Sequence, residues 1–159
     1  FDLVVSPTES IDLAISGLFM DPIYDSFPAS SAGDLTGTMP SNISEDTISS
    51  TVTWNWNTSN WDGYFRLSHL YASEAKLLEN PAWQTILEAA GNGIKTQDTL
   101  NFSAGLNKDN LSIMFWAKNI NDDKYLISAF PAVADPTSST FFGYPNAYRT
   151  YGLTVNYMF

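Results

Sequence analysis

The chain has 159 residues, 44% hydrophobic and 14% aromatic, which is too much apolar material for a disordered tail. Its formal charge is −10 with only seven lysines and arginines, which argues against a nucleic-acid surface, and nucleic acid is set aside as a partner. It has no cysteine, hence no disulfide framework or thiolate metal site, and no run approaches the roughly 18 consecutive apolar residues of a membrane-spanning helix.

Residues two apart on a strand share a face, and period-two alternation runs through seven segments. The chain begins at Phe1 inside the first, 1–5, with no initiator methionine or signal-peptide core, so it reads as a fragment or processed piece whose first strand lacks a partner. In 10–24, Ile11, Leu13, Ile15 and Phe19 oppose Asp12, Ala14 and Ser16. Segment 45–57 sets Ile48, Val52, Trp54 and Trp56 against Ser49, Thr51, Thr53 and Asn55, with Ser50 as a polar break. Segment 62–74 puts Phe65, Leu67, His69 and Tyr71 on one face, with Tyr64, Arg66, Ser68 and Leu70 opposite. In 96–107, Leu100, Phe102, Ala104 and Leu106 oppose Thr99, Asn101, Ser103 and Gly105; in 110–121, Leu111, Ile113, Phe115 and Ala117 oppose Ser112, Met114, Trp116 and Lys118. The last segment, 148–159, aligns Tyr151, Leu153, Val155, Tyr157 and Phe159 against Gly152, Thr154, Asn156 and Met158. Several segments reach the roughly 9–11 residues of a tilted membrane strand and exceed the usual ~5–6 of a soluble sheet.

The connections alternate in length. Ser6–Glu9, Thr58–Trp61 and Asn107–Asn110 are tight and rich in turn formers, whereas 25–44, 75–95 and 122–147 are long. Every long loop then leaves one edge of the sheet, the asymmetry of outer-membrane barrels, and a soluble sandwich has no reason to sort its loops this way. Trp54, Trp56 and Trp61 gather at the short-turn end, and Tyr24, Tyr71, Tyr125 and Tyr148 at the other, as interfacial aromatic girdles do.

Other chemistry is sparse. His69 is the sole histidine, which leaves no histidine-rich metal site or histidine-paired nucleophile, and no catalysis or cofactor is expected. Asp122-Asp123 could bind a cation or act as acid and base, but beside Lys124 it reads as a solvated turn. Asn-x-Ser/Thr sequons at Asn42, Asn57, Asn101 and Asn110 carry no weight if the host is a bacterium. Pro81–Ala90, ended by Gly91, predicts a short helix within a long loop. The long loops hold Trp83, Phe130, Phe141, Phe142 and Tyr144 among few charges, either as a platform for a small-molecule ligand or as loop-to-loop packing.

Two stretches resemble the TonB-dependent outer-membrane receptors. Leu111–Tyr125 is similar to the family's penultimate strand leading into an Asn-hydrophobic-x-Asp-x-x-Tyr motif, here Asn119, Ile120, Asp122 and Tyr125; Arg149–Phe159 resembles the family's closing strand. Gly37-Thr-Met-Pro40 ahead of a strand is a fainter echo. The family often places proline directly before the arginine, whereas here Asn-Ala-Tyr separates Pro145 from Arg149.

The resemblance implies an all-β fold: an antiparallel up-and-down transmembrane β-barrel segment of about seven strands, the C-terminal portion of a 22-stranded plugged barrel. Residues 1–159 would supply the last strands and extracellular loops, with the plug and the TonB-contacting segment upstream. The implied function is TonB-dependent uptake of a scarce ligand, with ferric siderophores the family's default and cobalamin, haem, nickel and saccharides as options. The implied partners are outer-membrane lipid, the TonB complex through the missing N-terminal part, and the barrel-assembly machinery, which would read Tyr151, Leu153, Val155, Tyr157 and Phe159 as its signal. With two raw edges, the isolated piece is expected to aggregate. A passive porin or small outer-membrane barrel would share the alternation, and a soluble carbohydrate-binding β-sandwich would turn the same apolar rows into a core.

Overall fold

The computed structural model describes residues 1–132, 135 and 139–159. In chain order the elements are β1 (Asp2–Thr8), β2 (Ile11–Phe19), β3 (Asp46–Asn57), β4 (Asp62–Lys76), α1 (Pro81–Ala89), β5 (Ile94–Lys108), β6 (Leu111–Lys118), β7 (Leu126–Pro131), β8 (Phe141–Pro145) and β9 (Thr150–Tyr157). Each alternating segment of the sequence becomes a strand, and each strand folds back on its predecessor. The result is one antiparallel sheet in the order β1-β2-β3-β4-β5-β6-β9, with β7 and β8 as a separate hairpin. The sheet is open, with β1 and β9 as its edges, and no closed barrel forms among the described residues.

Register carries the apolar rows of all seven strands onto one face. Val5, Leu13, Val52, Leu67, Phe102, Ala117 and Tyr151 are successive cross-strand partners, so they form one line across the sheet. The next line is Ile11, Trp54, Phe65, Ala104, Phe115 and Leu153. Aromatic rings knit the lines together, with centroids 5.7 Å apart for Trp54–Phe65, 6.4 Å for Phe65–Phe102 and 6.3 Å for Phe102–Phe115. A one-residue slip anywhere would throw a whole row to the polar side.

Several boundaries differ from the sequence expectation, each for a local reason. The first turn is Glu9-Ser10 and not Ser6–Glu9, because β1 is an edge strand and absorbs Pro7 in an irregularity between Val5 and Thr8. Strand β2 stops at Phe19 instead of 24, just before Asp21-Pro22, where proline restricts its neighbour and removes a donor. Strand β6 stops at Lys118 because Asn119 turns the chain with a φ of +51°. Strands β4 and β5, at 15 residues each, run past their neighbours and carry the loop end outward. The expected long loop 122–147 contains the β7–β8 hairpin, and its residues 133, 134 and 136–138 lie outside the described residues.

Apart from Ala75 near the end of β4, the buried hydrophobic residues lie off the sheet. Leu77 and Leu78, which follow β4, meet Leu87 of α1, with Trp83, Leu126, Ala129 and Phe141 packed around them. Helix α1 is capped by Asn80, whose side chain accepts from the Ala82 and Trp83 amides, and Gly91 turns the chain away with a φ of +76°. Buried Gln84 ties the helix to both flanks: it accepts from the Leu78 amide at 2.9 Å and donates to the Gly93 carbonyl at 2.7 Å.

Candidate functional site

The apolar face of the sheet is uncovered. Leu67 is 42% exposed, Phe115 42%, Val52 46%, Trp54 50% and Leu153 66%, although each lies within a strand. In a soluble domain an apolar sheet face packs on another layer and forms the core. Here the described residues supply no second layer, and contiguous exposed apolar surface on this scale marks contact with lipid or with another protein.

Strand β9 carries four of the five residues singled out at the C-terminus. Tyr151, Leu153, Val155 and Tyr157 continue the apolar lines on the open edge, and the Tyr157 and Phe159 rings meet edge to face at 5.1 Å. Phe159 itself lies beyond the last paired residue and is fully exposed.

The opposite end of β9 is fixed by the Asn119–Tyr125 segment, which the sequence singles out as a motif. Asn119 is 4% exposed, and its side chain donates to the carbonyls of Asp123 and Ala147, both at 2.9 Å, while accepting from the Asp123 amide at 2.8 Å. Buried Asn146, which sequence reasoning missed, accepts from the Tyr125 amide and donates to the Asp123 carbonyl. Asn121 accepts from the Leu100 amide and donates to the Asp98 carbonyl, and the Asp98 amide donates to the Asp123 carboxylate at 2.7 Å. The segment is thus a knot that joins the end of β5, the end of β6 and the approach to β9. Asp122-Asp123 is absorbed into this knot as a structural pair.

Asp122 contacts Lys124 at 3.2 Å and Arg149 at 4.0 Å. The Lys124 hydrogen bond, reinforced by Arg149, outweighs partial desolvation and holds the Asp122 carboxyl below its usual range. A depressed folded-state value contributes stability above the unfolded carboxylate range, and that contribution disappears as pH falls through the folded value. Acid titration of loop-end stability should therefore show a component that Asp122→Asn removes, measured by amide exchange of residues 119–125 between neutral and acidic pH. An unchanged slope in the variant would refute the assignment.

The aromatic residues of the long loops divide into two groups. Trp83 and Phe141 pack on the Leu77–Leu78–Leu87 cluster. Phe130, Phe142 and Tyr144 lie on the other side of the β7–β8 hairpin, exposed, with Phe130 centred 5.6 Å from Phe142 and 5.8 Å from Tyr144. Strand alternation causes the split, since Phe141 and Phe142 point to opposite faces. Phe141→Ala should therefore destabilise the loop end by about 2 kcal/mol, below the full-burial value because the ring is only half-buried, whereas Phe142→Ala should stay within about 0.5 kcal/mol. Limited proteolysis of the loop end across a denaturant series would separate the two variants, and equal susceptibility would contradict the division.

His69 lies on the apolar face between Ser50 and Leu100, with Nε2 2.6 Å from Asp98 Oδ1. Among the described residues no group of three or more histidine, cysteine, aspartate or glutamate side chains is placed to hold a metal ion. Comparison with known proteins returned no matching family model, no matching curated protein and no matching solved structure.

Proposed function

We propose that this chain is the C-terminal part of a TonB-dependent outer-membrane receptor, which imports a scarce small-molecule ligand using energy delivered through TonB. The observation that carries the reading is the continuous apolar face, exposed on every strand of the sheet, while the main buried cluster of Leu77, Leu78 and Leu87 lies beyond the end of β4. Bilayer hydrocarbon would cover that face, and strands can cross it only in a closed barrel, where every backbone amide is paired. In this reading further strands outside the chain pair with the open edges of β1 and β9. The short turns Glu9-Ser10 and Thr58–Trp61 then face the periplasm and the long connections face outward. Phe130, Phe142 and Tyr144 become the ligand-facing aromatics of the mouth, while Tyr151, Leu153, Val155, Tyr157 and Phe159 serve the barrel-assembly machinery and the lipid girdle.

The reading is tested by the reading frame upstream of Phe1 together with the intact mass of the protein in purified outer membranes. A signal peptide, a TonB-contacting segment and a plug ahead of about fifteen more alternating strands, the remainder of a 22-stranded barrel, is the expected result. A frame that opens within a strand or two of Phe1 would sink the transporter reading and leave a small barrel or passive porin to explain the same face.

A further inference from the structure

Among the described residues, the polar face of the sheet carries two cations with no carboxylate at ion-pair distance. The chain has 17 acidic side chains to seven basic ones, yet neither Arg66 nor Lys118 forms an ion pair among the described residues. Each instead lies against an aromatic ring on its own strand, the Arg66 guanidinium 5.8 Å from the centre of Tyr64 and the Lys118 ammonium 5.6 Å from that of Trp116. These rings are held in turn by glycine. Tyr64 lies over Gly105 and Trp116 over Gly152, each in space that a Cβ would fill. A cation on a ring has no opposite formal charge beside it, unlike one in an ion pair, and a ring set on glycine holds it in place.

Register puts the two cations around a single patch. Arg66, Ser103 and Trp116 are successive cross-strand partners, Ser68 and Asn101 pair on the adjoining line, and Lys118 follows Ala117, the partner of Phe102. Together they line a concavity of about 440 Å3. The carboxamide oxygen of Asn101 is taken by the Asn119 amide, which leaves its NH2 end as the donor, and the Ser68 and Ser103 hydroxyls add two more. Arg66 Nε donates to Thr53 Oγ1 at 3.2 Å, and its two terminal nitrogens form no hydrogen bond among the described residues. Asp12, the acid nearest in this line, stands beyond Thr53 and accepts from Ser6 and Asn55.

We infer that Arg66 and Lys118, with Ser68, Asn101 and Ser103, form a binding site for a small-molecule anion bearing carboxylate or phosphate groups. Guanidinium and ammonium groups with nearby hydroxyl and amide donors match such oxygens in charge and hydrogen-bonding sense. The site stands on the geometry of the polar face alone, whichever way the upstream sequence falls.

The test uses the protein expressed from its native gene, titrated calorimetrically with citrate and with inorganic phosphate at low ionic strength. Saturable binding is expected. Arg66→Gln and Lys118→Gln should each weaken it by about tenfold, as loss of one charge-assisted hydrogen bond does, while Lys108→Gln at the turn end leaves it unchanged. Circular dichroism of each variant confirms that it is folded. No saturable binding to the wild-type protein, or binding that survives in the Arg66→Gln/Lys118→Gln protein, overturns the site. So does equal weakening by Lys108→Gln, which would signify bulk charge. If the wild-type protein binds neither probe while the double variant loses folding stability, the anion is a carboxylate of the protein's own upstream part, and the diffusible-ligand assignment is overturned.

Discussion

Leu153→Arg is expected to destabilise the assembled protein by roughly 2–4 kcal/mol, the cost of an arginine near the midplane of a bilayer on the lipid side of a barrel. Leu153 is partnered by Phe115 and stands between Tyr151 and Tyr157 on the apolar row of β9. It is already 66% exposed to water when the sheet stands alone, so on a soluble edge strand the same substitution would change stability by no more than about 0.5 kcal/mol. The two environments therefore differ several-fold in the predicted effect. Urea titration of the protein folded into lipid vesicles, read by the mobility difference between folded and heat-denatured forms, measures it. Thr154→Arg on the polar face is the companion, and it should be tolerated. Equal, small effects of both substitutions would remove the case for lipid against this face.

Asn119→Ala should cost about 3 kcal/mol, the largest effect of any single loop substitution. The change strips the donors to Asp123 and Ala147 and the acceptor for the Asp123 amide, and a buried polar group left unpaired costs about 1–3 kcal/mol. It also places a Cβ-bearing residue without a polar side chain at a φ of +51°, which adds about 1–2 kcal/mol. Asn119→Gly removes the same bonds but accepts the backbone, so it should recover about 1 kcal/mol. Protection of the Tyr125 and Leu100 amides in hydrogen exchange reports the knot directly, through their bonds to Asn146 and Asn121. Full protection in the alanine variant would show that the knot does not hold the end of β9.

What was legible in the sequence follows from periodicity. The seven strands of the main sheet were readable because each repeats its apolar residue every second position, and the common face followed because a slip of one residue would turn a whole apolar row to the polar side. Helix α1 was readable from Pro81 and Gly91, which act through local backbone geometry. Pro7 misled the reading of the first turn because its meaning depends on whether the strand is an edge, and edges are set by tertiary order. The β7–β8 hairpin was missed: Leu126–Phe130 and Phe141–Tyr144 have strand composition, but they are too short to stand out inside a long connection. The same omission left Phe141 and Phe142 in one group. Asn119 and Asp122 were visible as a motif, whereas Asn146 was not, because its partners lie about twenty residues upstream and nothing local records that distance.

The central claim is that one face of the sheet meets lipid. The chain lacks cysteine, so single cysteines introduced at Leu67, Ser68, Leu153 and Thr154 each report one face of β4 or β9. The measurement is their labelling in native outer membranes by a membrane-impermeant maleimide, with quenching of an attached fluorophore by bromolipid as the counterpart. Cysteines at Leu67 and Leu153 should resist the maleimide and yield to the bromolipid, whereas those at Ser68 and Thr154 should show neither behaviour. Equal labelling at all four positions without bromolipid quenching, in protein recovered from the soluble fraction, would contradict the account.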